Sequence, residues 1–294
     1  MSDLVQDQWA QWLLHRRHGN DPVQHQAVLD WLYPIRDQVL QNAQLTNGAV
    51  VLDVGTGDGL IAFGALAQIG DRGTIIFSDI SQDLLDQCRS LVQEIGAQDR
   101  CQFLRASADD LTPIADNSVD VITTRSVLIY VTAKQHAFQE FYRVLKPHGR
   151  LSIFEPINRF GEPEPDHLFA GYDMTPIRAI AHKVRAVYER LLPPETNPML
   201  DFDERALLTF AEQAGFVDIH LELRAEITRA SKTPPWDTLL HTSGNPLEPT
   251  LQEVIQQGLT PDEAEQFVAH FRPLVETQQG TRRSATAYLW ATKA

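Results

Sequence analysis

The residues with the clearest chemical potential lie in one short stretch, Val50 to Gly59, which reads VVLDVGTGDG. Its first half is an apolar run interrupted only by Asp53, a composition typical of a buried parallel strand. Its second half holds glycines at 55, 57 and 59, which permit a tight turn and the close approach of a ligand to the backbone. A carboxylate just before such a turn would repel a pyrophosphate, and it suits a cationic ligand such as an amino-acid ammonium group.

The spacing of these glycines separates two classes of nucleotide site. A dinucleotide-binding turn has the pattern G-x-G-x-x-G, which seats a phosphate on the N-terminus of the following helix. Here Leu60 occupies the sixth position, and the third glycine comes one residue early. The pattern therefore disfavours a nicotinamide dehydrogenase, while an ordinary strand–turn–helix without a ligand stays open.

A second carboxylate, Asp79, ends the next predicted strand, which spans residues 73–79. In nucleotide-binding α/β units, an acid at the end of the second strand accepts hydrogen bonds from the ribose hydroxyls. Its two oxygens also match a cis-diol. We therefore expect Asp79 to bind a ribose, with an uninvolved surface acid as the alternative.

Three motifs of the chain resemble those of class I S-adenosylmethionine-dependent methyltransferases. The run Asp53–Gly59 resembles the D-x-G-x-G-x-G motif of that family. The run S-A-D-D-L at 107–111 resembles its adenine-contacting segment G-D-A-x-x-L, with Ser107 in the place of the acid. The run R-V-L-K-P-H-G-R at 143–150 resembles the turn before the fifth strand of the family, with His148 replacing a glycine. The resemblance covers about residues 45–155 and implies S-adenosylmethionine as the cofactor.

The resemblance also implies which residues contact the cofactor. The glycine turn would line the methionine part, Asp79 the ribose, and Ser107 with Ala108 the adenine; an acid at 109 or 110 is the alternative to Ser107. Arg125 follows the fourth predicted strand and either holds the methionine carboxylate or is a surface cation that caps a helix. The expected cofactor contacts are Asp53, Gly55, Thr56, Gly57, Asp79, Ile80, Ser107, Ala108 and Arg125.

The candidate catalytic residues follow from what methyl transfer requires. The acceptor atom must lie in line with the methyl group, about 3 Å away, with water excluded. An amine must first lose a proton, and a phenol or a carboxyl group benefits from a base. The candidates are Glu155 and Tyr130 near the ends of the strands, and His18 in the N-terminal segment. Tyr130 is equally interpretable as a core aromatic, and His15 and His241 are further candidates whose alternative is an exposed polar role.

The alternation of strand and helix patterns predicts an α/β fold. We expect a doubly wound, seven-stranded, mostly parallel sheet with an antiparallel last strand. Residues 1–44 form a predicted helical N-terminal lid, and residues 45–294 form a predicted methyltransferase domain. Two insertions, at about 156–203 and 231–281, interrupt the alternation and are expected to cover the substrate.

The predicted lid consists of two helices. The first runs over residues 3–18, and the second starts with Asp21 as its cap and breaks near Pro34. The first helix ends in Arg16 and Arg17. These cations either complement the helix dipole or meet a carboxylate of the cofactor or the substrate.

Composition limits the partners. Acidic side chains outnumber basic ones by 39 to 25, for a net charge of −14, which argues against a nucleic-acid partner. No run approaches the roughly twenty apolar residues of a membrane span, and we see no signal peptide. Cys88 and Cys101 cannot build a disulfide framework and lack metal-ligand spacing, so we expect no metal site. We expect a cytoplasmic monomer or homodimer.

These observations favour the transfer of a methyl group from S-adenosylmethionine to an O or N atom of a small molecule, in secondary metabolism. The alternative of a different class is a catalytically silent, methyltransferase-like module that binds the cofactor for regulation. An NAD-dependent dehydrogenase is a third and less favoured hypothesis, because Asp53 and Leu60 do not fit its fingerprint.

Overall fold

The computed structural model describes residues 6–230 and 233–294, so the helical positions expected at residues 3–5 lie outside it. In chain order the strands are β1 (Val50–Val54), β2 (Thr74–Asp79), β3 (Cys101–Arg105), β4 (Val119–Arg125), β5 (Leu145–Pro156), β6 (Leu168–Phe169), β7 (Tyr172–Asp173), β8 (Phe216–Arg229) and β9 (Thr281–Lys293). β6 and β7 form a small ribbon of their own, and the others form one seven-stranded sheet.

The order across the sheet is β3-β2-β1-β4-β5-β9-β8. Strands β1 to β5 run parallel, whereas β9 pairs antiparallel with both β5 and β8. The strand order reverses between β1 and β4. In open α/β sheets, ligands bind outside the carboxyl ends of the strands at such a switch point. The predicted sheet with an antiparallel last strand is confirmed.

Helices cover both faces of this sheet. They are α1 (Gln8–Leu14), α2 (Pro22–Ala43), α3 (Leu60–Leu66), α4 (Gln82–Glu94), α5 (Lys134–Val144), α6 (Arg178–Leu191), α7 (Glu204–Ala214), α8 (Trp236–His241), α9 (Leu251–Gly258) and α10 (Pro261–Glu276). One apolar cluster joins α2, α3 and α4 to the sheet, and another joins α5 and α7 to it. Because both faces are covered, the central strands carry apolar residues in succession. In the described part of the chain, no helix is both long and apolar enough to cross a membrane.

Helix starts follow the predicted caps, with one correction further along the chain. Asp21, Ser81 and Asp203 each accept backbone N–H groups from the first turn of their helix. The predicted break near Pro34 is wrong, because α2 runs through it without interruption. Val39, beyond the proline, is fully buried, and its carbonyl accepts a 2.8 Å hydrogen bond from the Ser152 hydroxyl. Packing against the sheet therefore holds α2 together where the proline lacks its own donor.

The expected lid lies in two environments. The second half of α2 belongs to the core of the sheet. Only α1 and the single helical turn Arg16–His18 reach the ligand edge, where the Leu13 side chain packs on Gly57. We call residues 7–18 the strap. The domain boundary at residues 44 and 45 and the limits of the insertions stay predictions.

The two insertions pack on each other. The ribbon β6–β7 and α6 from the first share one apolar cluster with α8, α9 and α10 from the second, and we call these elements the cap. At its centre, the ring of Phe271 lies 5.7 Å from that of Phe169, 5.3 Å from Tyr172 and 5.6 Å from Trp236. β8 and β9 stay paired as far as Arg229 opposite Thr281, where the second insertion begins and ends.

Candidate active site

The turn after β1 depends on its glycines. Gly55, Gly57 and Gly59 have φ angles of +64°, +58° and +84°, a region that residues with a Cβ adopt only at a cost. A side chain at Gly55 would collide with Val127, which follows β4. The turn therefore exposes its backbone at the switch point between β1 and β4, as the sequence motif predicts.

The Asp53 carboxylate holds this turn in place through hydrogen bonds. Its carboxylate accepts hydrogen bonds of 2.8 Å from the hydroxyls of Thr56 and Thr123, and the residue is only 1 % exposed. Burial raises the pKa of Asp53 to about 6. The predicted contact of Asp53 with a cationic ligand stays a prediction; in the structure its oxygens tie the turn to β4.

Asp79 lies beside the glycine turn at the end of β2. One of its oxygens accepts a hydrogen bond of 2.8 Å from the Gly57 amide, and the other accepts one of 2.9 Å from the Ser81 amide. Burial raises the pKa of Asp79, and the nearby charge of Asp7 raises it further. Each carboxylate oxygen has a second lone pair, so Asp79 keeps acceptor capacity for a pair of hydroxyls.

The predicted adenine side lies next to Asp79. Ile80 is 41 % exposed, which is unusual for a large apolar residue directly after a central strand. The Ser107 hydroxyl donates a hydrogen bond to Asp109, and Ala108 is buried. The hydroxyl at 107 and the acid at 109 are thus hydrogen-bonded to each other, and the choice among Ser107, Asp109 and Asp110 as the adenine contact stays a prediction.

The strap is tied to the sheet domain beside Asp79. The Ser81 hydroxyl donates to the Asp7 carboxylate at 2.7 Å, and the Asp7 amide donates to Asp83 at 2.6 Å. Further along, the ring of Trp9 meets that of Tyr130 edge to face, with centroids 5.0 Å apart. The strap therefore crosses the ligand edge from β2 towards the loop after β4.

The other end of the strap is tied to the cap. The Trp12 indole donates to the Ser243 carbonyl at 3.0 Å, and the Ser243 amide donates to the Arg16 carbonyl at 3.1 Å. The Arg16 guanidinium pairs with Glu253 of α9 at 2.5 Å. The strap is therefore joined both to the sheet and to the cap, and the region between these elements and the strand ends is the candidate site space.

Two arginines face this space. Burial lowers the pKa of Arg17 to about 10, and the charge of Arg125 lowers it further, while Asp58 and Tyr130 oppose the change. Within residues 6–230 and 233–294, neither guanidinium forms an ion pair or a side-chain hydrogen bond. Two neighbouring cations in a partly buried place are costly unless an anion joins them, so this part of the space is suited to a carboxylate.

A groove lies on the outer side of the site. It has a volume of about 620 Å³ and is lined by residues of the strap, α2 and α3, among them Leu13, Asp58 and Leu60. It therefore borders the glycine turn from behind α3 and does not open over the strand ends.

Comparison with known proteins shows which protein family this chain is similar to. Residues 52–153 match the family model described as a methyltransferase domain. The ubiquinone/menaquinone biosynthesis C-methyltransferase UbiE of Enterobacter sp. (strain 638) is 35 % identical over 126 residues, and that of Klebsiella pneumoniae (strain 342) is 38 % identical over 128. These matches, together with the sheet order, support a methyltransferase domain of the class I S-adenosylmethionine-dependent type within residues 52–153. Each alignment covers 43 % of this chain and 48 % of the relative, so the chain spans about half the length of the curated relatives it matches.

Solved structures agree with this methyltransferase family at the level of the fold. The YcgJ protein from Bacillus subtilis has a TM-score of 0.54 at 16 % identity, covering 88 % of this chain and 97 % of its own. The phosphoethanolamine N-methyltransferase 2 of Haemonchus contortus, solved with phosphomonomethylethanolamine and S-adenosylhomocysteine, has a TM-score of 0.51 at 15 % identity. It covers 88 % of this chain and 52 % of its own. At such identities the likeness concerns the fold alone.

Glu155, a predicted catalytic residue of this methyltransferase, is fully enclosed. It is 0 % exposed, and its carboxylate accepts backbone hydrogen bonds from Val127 and Leu128 at 2.9 Å and from Ile129 at 3.3 Å. Burial raises its pKa to about 7. This geometry favours a positioning role, in which Glu155 fixes the loop that carries Tyr130. Direct participation of Glu155 in catalysis stays a prediction.

Tyr130 and His18 lie in different surroundings. Tyr130 forms part of the wall between the strap and the strand ends, and burial raises its pKa above the ordinary value. His18 is buried in the turn after α1, where its ring lies 4.6 Å from that of His25 in the first turn of α2. Burial lowers the pKa of His18, and the charge of His25 lowers it further. The structure thus brings Tyr130 beside the strap and the strand ends, while the ring of His18 lies against His25 at the start of α2, with Leu14, His15 and Arg17 of the strap around it.

Sequence reasoning missed several residues that border the space. Trp9 and Trp12 were expected only as apolar positions of a helix, although they join the strap to Tyr130 and to the cap. A basic run at the end of the first helix was the one available signal for Arg17.

Proposed function

We propose that this chain transfers the methyl group of S-adenosylmethionine to an O or N atom of a small molecule by in-line displacement. One observation supports this most directly. The exposed backbone of the glycine turn lies between an acid suited to a ribose, Asp79, and a pair of cations suited to a carboxylate, Arg17 and Arg125. A nucleoside that carries an amino acid needs these groups in this order.

The residues fit S-adenosylmethionine part by part. The positive φ angles at Gly55 and Gly57 shape a turn without side chains, so the backbone itself would contact the amino-acid portion. The two arginines would hold its carboxylate by charge-assisted hydrogen bonds, and Asp79 would hold the ribose. Ile80 offers an apolar surface for the adenine ring. When bound, this cofactor supplies an electrophilic methyl group on a sulfonium.

The protein then contributes placement and the exclusion of water. Tyr130 and Trp9 close one side of the space, and Glu155 fixes the loop that carries Tyr130. The strap and the cap are hydrogen-bonded to each other over the strand ends. Holding two reactants in a productive geometry can lower a barrier by roughly 7–11 kcal/mol, and placement of this kind would be the contribution of the strap, the cap and the loop after β4.

A carbon acceptor is the second candidate, and the relatives favour it. The UbiE proteins are named as C-methyltransferases of ubiquinone and menaquinone biosynthesis, at 35 % and 38 % identity. Their alignments cover only 43 % of this chain. The family model, residues 52–153, ends before the cap begins, and the cap encloses the acceptor side. We therefore keep an O or N atom as the leading proposal.

Labelled cofactor tests the proposal. S-adenosylmethionine carrying a tritiated methyl group is incubated with the protein and a metabolite extract, and mass spectrometry then locates the methyl group in the product. We expect a labelled small molecule with a new O–CH₃ or N–CH₃ group. A new C–CH₃ group would select the second candidate. Tight binding of S-adenosylhomocysteine without any transfer would favour the regulatory module.

The arginine pair has its own test. Arg17→Ala is expected to weaken the binding of S-adenosylhomocysteine about tenfold to a hundredfold, because a charge-assisted hydrogen bond contributes roughly 1.5–3 kcal/mol. The binding of 5′-methylthioadenosine, which lacks the amino-acid portion, should stay within about twofold. Calorimetry measures both, and Arg72→Ala, an exposed cation far from the site, is the control. Equal losses for both nucleosides would show that Arg17 does not contact the carboxylate.

A further inference from the structure

One edge of the seven-stranded sheet is open. β8 is the last strand in the order across the sheet, and in the described part of the chain its only partner strand is β9. Every residue of β8 from Leu223 to Arg229 is exposed. An edge strand presents a row of unpaired N–H and C=O groups on which another strand can add. β8 therefore offers a surface for a partner that supplies a strand of its own.

One face of β8 carries a row of charged side chains, because successive side chains of a strand point to opposite faces. The Arg224 side chain donates to the Glu222 carboxylate at 2.7 Å, and its guanidinium lies 4.7 Å from the centre of the Tyr288 ring on β9. On the same face, the ring of His220 stacks on that of Trp290, with centroids 5.2 Å apart. The contacts with β9 hold this charged row in order along the open edge.

The other face of β8 carries an apolar row that is covered along only half of its length. Ile219 and Leu221 pack against the apolar cluster that includes Leu207 of α7. Further along the same row, Leu223 is 41 % exposed and Ile227 is 57 % exposed. The exposed half of the row gains from a partner that covers it.

The charged row is complementary to itself about Leu223. In an antiparallel pair, directly opposed residues lie on the same face. A two-fold axis through Leu223, perpendicular to the sheet, places Glu222 of each copy opposite Arg224 of the other. The same axis places His220 opposite Glu226, where the imidazole can donate to the carboxylate. An axis at Glu222 or at Arg224 would oppose like charges instead, so the charges select one register.

The backbone and the apolar row agree with this register. β8 shifts its register against β9 between Val217 and His220, and Asp218 has a φ angle of +47°. Such a bulge bends a strand and interrupts its pairing, so the segment free to pair begins near residue 219. An axis at Leu223 ends it symmetrically near residue 227. The exposed Ile227 of one copy then lies opposite Ile219 of the other, beside the α7 of that copy.

We propose that β8 pairs antiparallel with β8 of a second copy of this chain, about a two-fold axis at Leu223, so that the two sheets become continuous. The contact is isologous, because the same patch of each copy meets itself. Main-chain hydrogen bonds of the new strand pair supply affinity. The opposed charges set the register, and the apolar rows cover each other's exposed halves.

Charge reversal at positions 222 and 224 tests this dimer. Analytical ultracentrifugation over a range of protein concentrations should show the unmodified protein as a dimer in equilibrium with its monomer. Arg224→Glu opposes two acids, and Glu222→Arg opposes two cations. Each variant alone should raise the dissociation constant of the dimer about tenfold or more. An equimolar mixture of the two variants should associate as tightly as the unmodified protein, because each strand then supplies the charge that the other lacks.

Arg72→Glu is the matched control, because it makes the same change of charge at an exposed position in the turn before β2, on the other half of the sheet. It should leave the dissociation constant of the dimer unchanged. Thermal unfolding of each variant confirms that it is folded before sedimentation. An unmodified protein that stays monomeric would overturn the inference. Single variants that dimerise as tightly as the unmodified protein, or a mixture no tighter than its components, would overturn it as well.

Discussion

At the scale of the residue, buried carboxylates accept many of the hydrogen bonds of the site, and two of them hold loops in place. Asp53 holds two hydroxyls and Glu155 holds three backbone amides, so both serve to fix the loops on either side of the switch point. Each is buried enough that its pKa lies well above the ordinary value, at about 6 and about 7. Their protonation therefore couples the pH to the stability of the site.

For both carboxyl groups, the free energy of unfolding decreases as the pH rises. A carboxyl group whose pKa is higher in the folded protein than in the unfolded chain binds more protons when folded, so the free energy of unfolding falls as the pH rises between the two values. For Glu155 this window runs from 4.5 to about 7. We expect Glu155→Gln to lose less stability across this window than the unmodified protein, by on the order of 3 kcal/mol. Urea unfolding at a series of pH values measures it.

The exposed Glu94 provides the control, since Glu94→Gln removes a carboxyl group of α4 that has no side-chain hydrogen bond in the described structure. Its pH dependence should match that of the unmodified protein. The same slope in Glu155→Gln and the unmodified protein would mean that Glu155 does not bind a proton in this range.

Residue types and spacing predicted the tight turn after β1. The positive φ angles at 55, 57 and 59 are the physical reason for the three glycines, so the turn is recognisable in the sequence. The hydrogen-bonded role of Glu155 was not recognisable in the sequence. Its three donors follow a different strand, β4, and they meet the carboxylate only when β4 and β5 pair. Contacts that depend on the pairing of distant segments leave no local pattern.

At the scale of the element, the strap links the ends of the strands to the cap. It is tied to β2 and α4 through Asp7 and to the cap through Trp12 and Arg16. The sequence predicted a helical lid, but it predicted a break in α2 that the packing of α2 on the sheet prevents. The contacts of the strap join it to segments more than 70 residues away in the chain, which no periodicity reveals.

Removing one hydrogen bond between the strap and the cap should speed the release of S-adenosylhomocysteine. Trp12→Phe removes the indole donor to the Ser243 carbonyl and keeps most of the apolar contact. A hydrogen bond contributes about 0.5–1.5 kcal/mol, so we expect S-adenosylhomocysteine to dissociate about two- to tenfold faster, as measured by stopped-flow displacement. Trp31→Phe, on the exposed side of α2, is the control. An unchanged rate in Trp12→Phe would show that the strap does not limit release.

At the scale of the whole molecule, two apolar clusters enclose the sheet and a third belongs to the cap. The cap cluster draws residues from both insertions, which are separated in sequence by α7 and β8. The sequence indicates each insertion by the loss of strand–helix alternation. It does not indicate that the two pack together, because apolar residues on α6 and on α10 are equally compatible with separate contacts to the sheet.

A substitution in the apolar core of the cap should therefore destabilise the cap more than the sheet. Phe271 contacts rings from β6, β7, α8 and α10, and Phe271→Ala is expected to cost about 3–5 kcal/mol. We expect faster hydrogen exchange in the cap helices, with protection of β1 to β5 retained. Phe160→Ala, at a partly exposed ring outside the cap cluster, is the control. Equal loss of protection in the cap and the sheet would mean that they unfold as one unit.

The pairing of Arg229 with Thr281 has a consequence for how such a molecule diversifies. The longer insertion leaves the sheet and returns to it at two directly opposed positions of one hairpin, so its length and sequence can change without shifting the strand register. An exchange of this segment between homologues would leave the strands that carry the glycine turn unchanged and would replace the second insertion's part of the cap. Changes within this segment therefore alter the cap while the register of β8 and β9 is kept, provided that its apolar contacts with α6 and its hydrogen bonds with the strap are preserved.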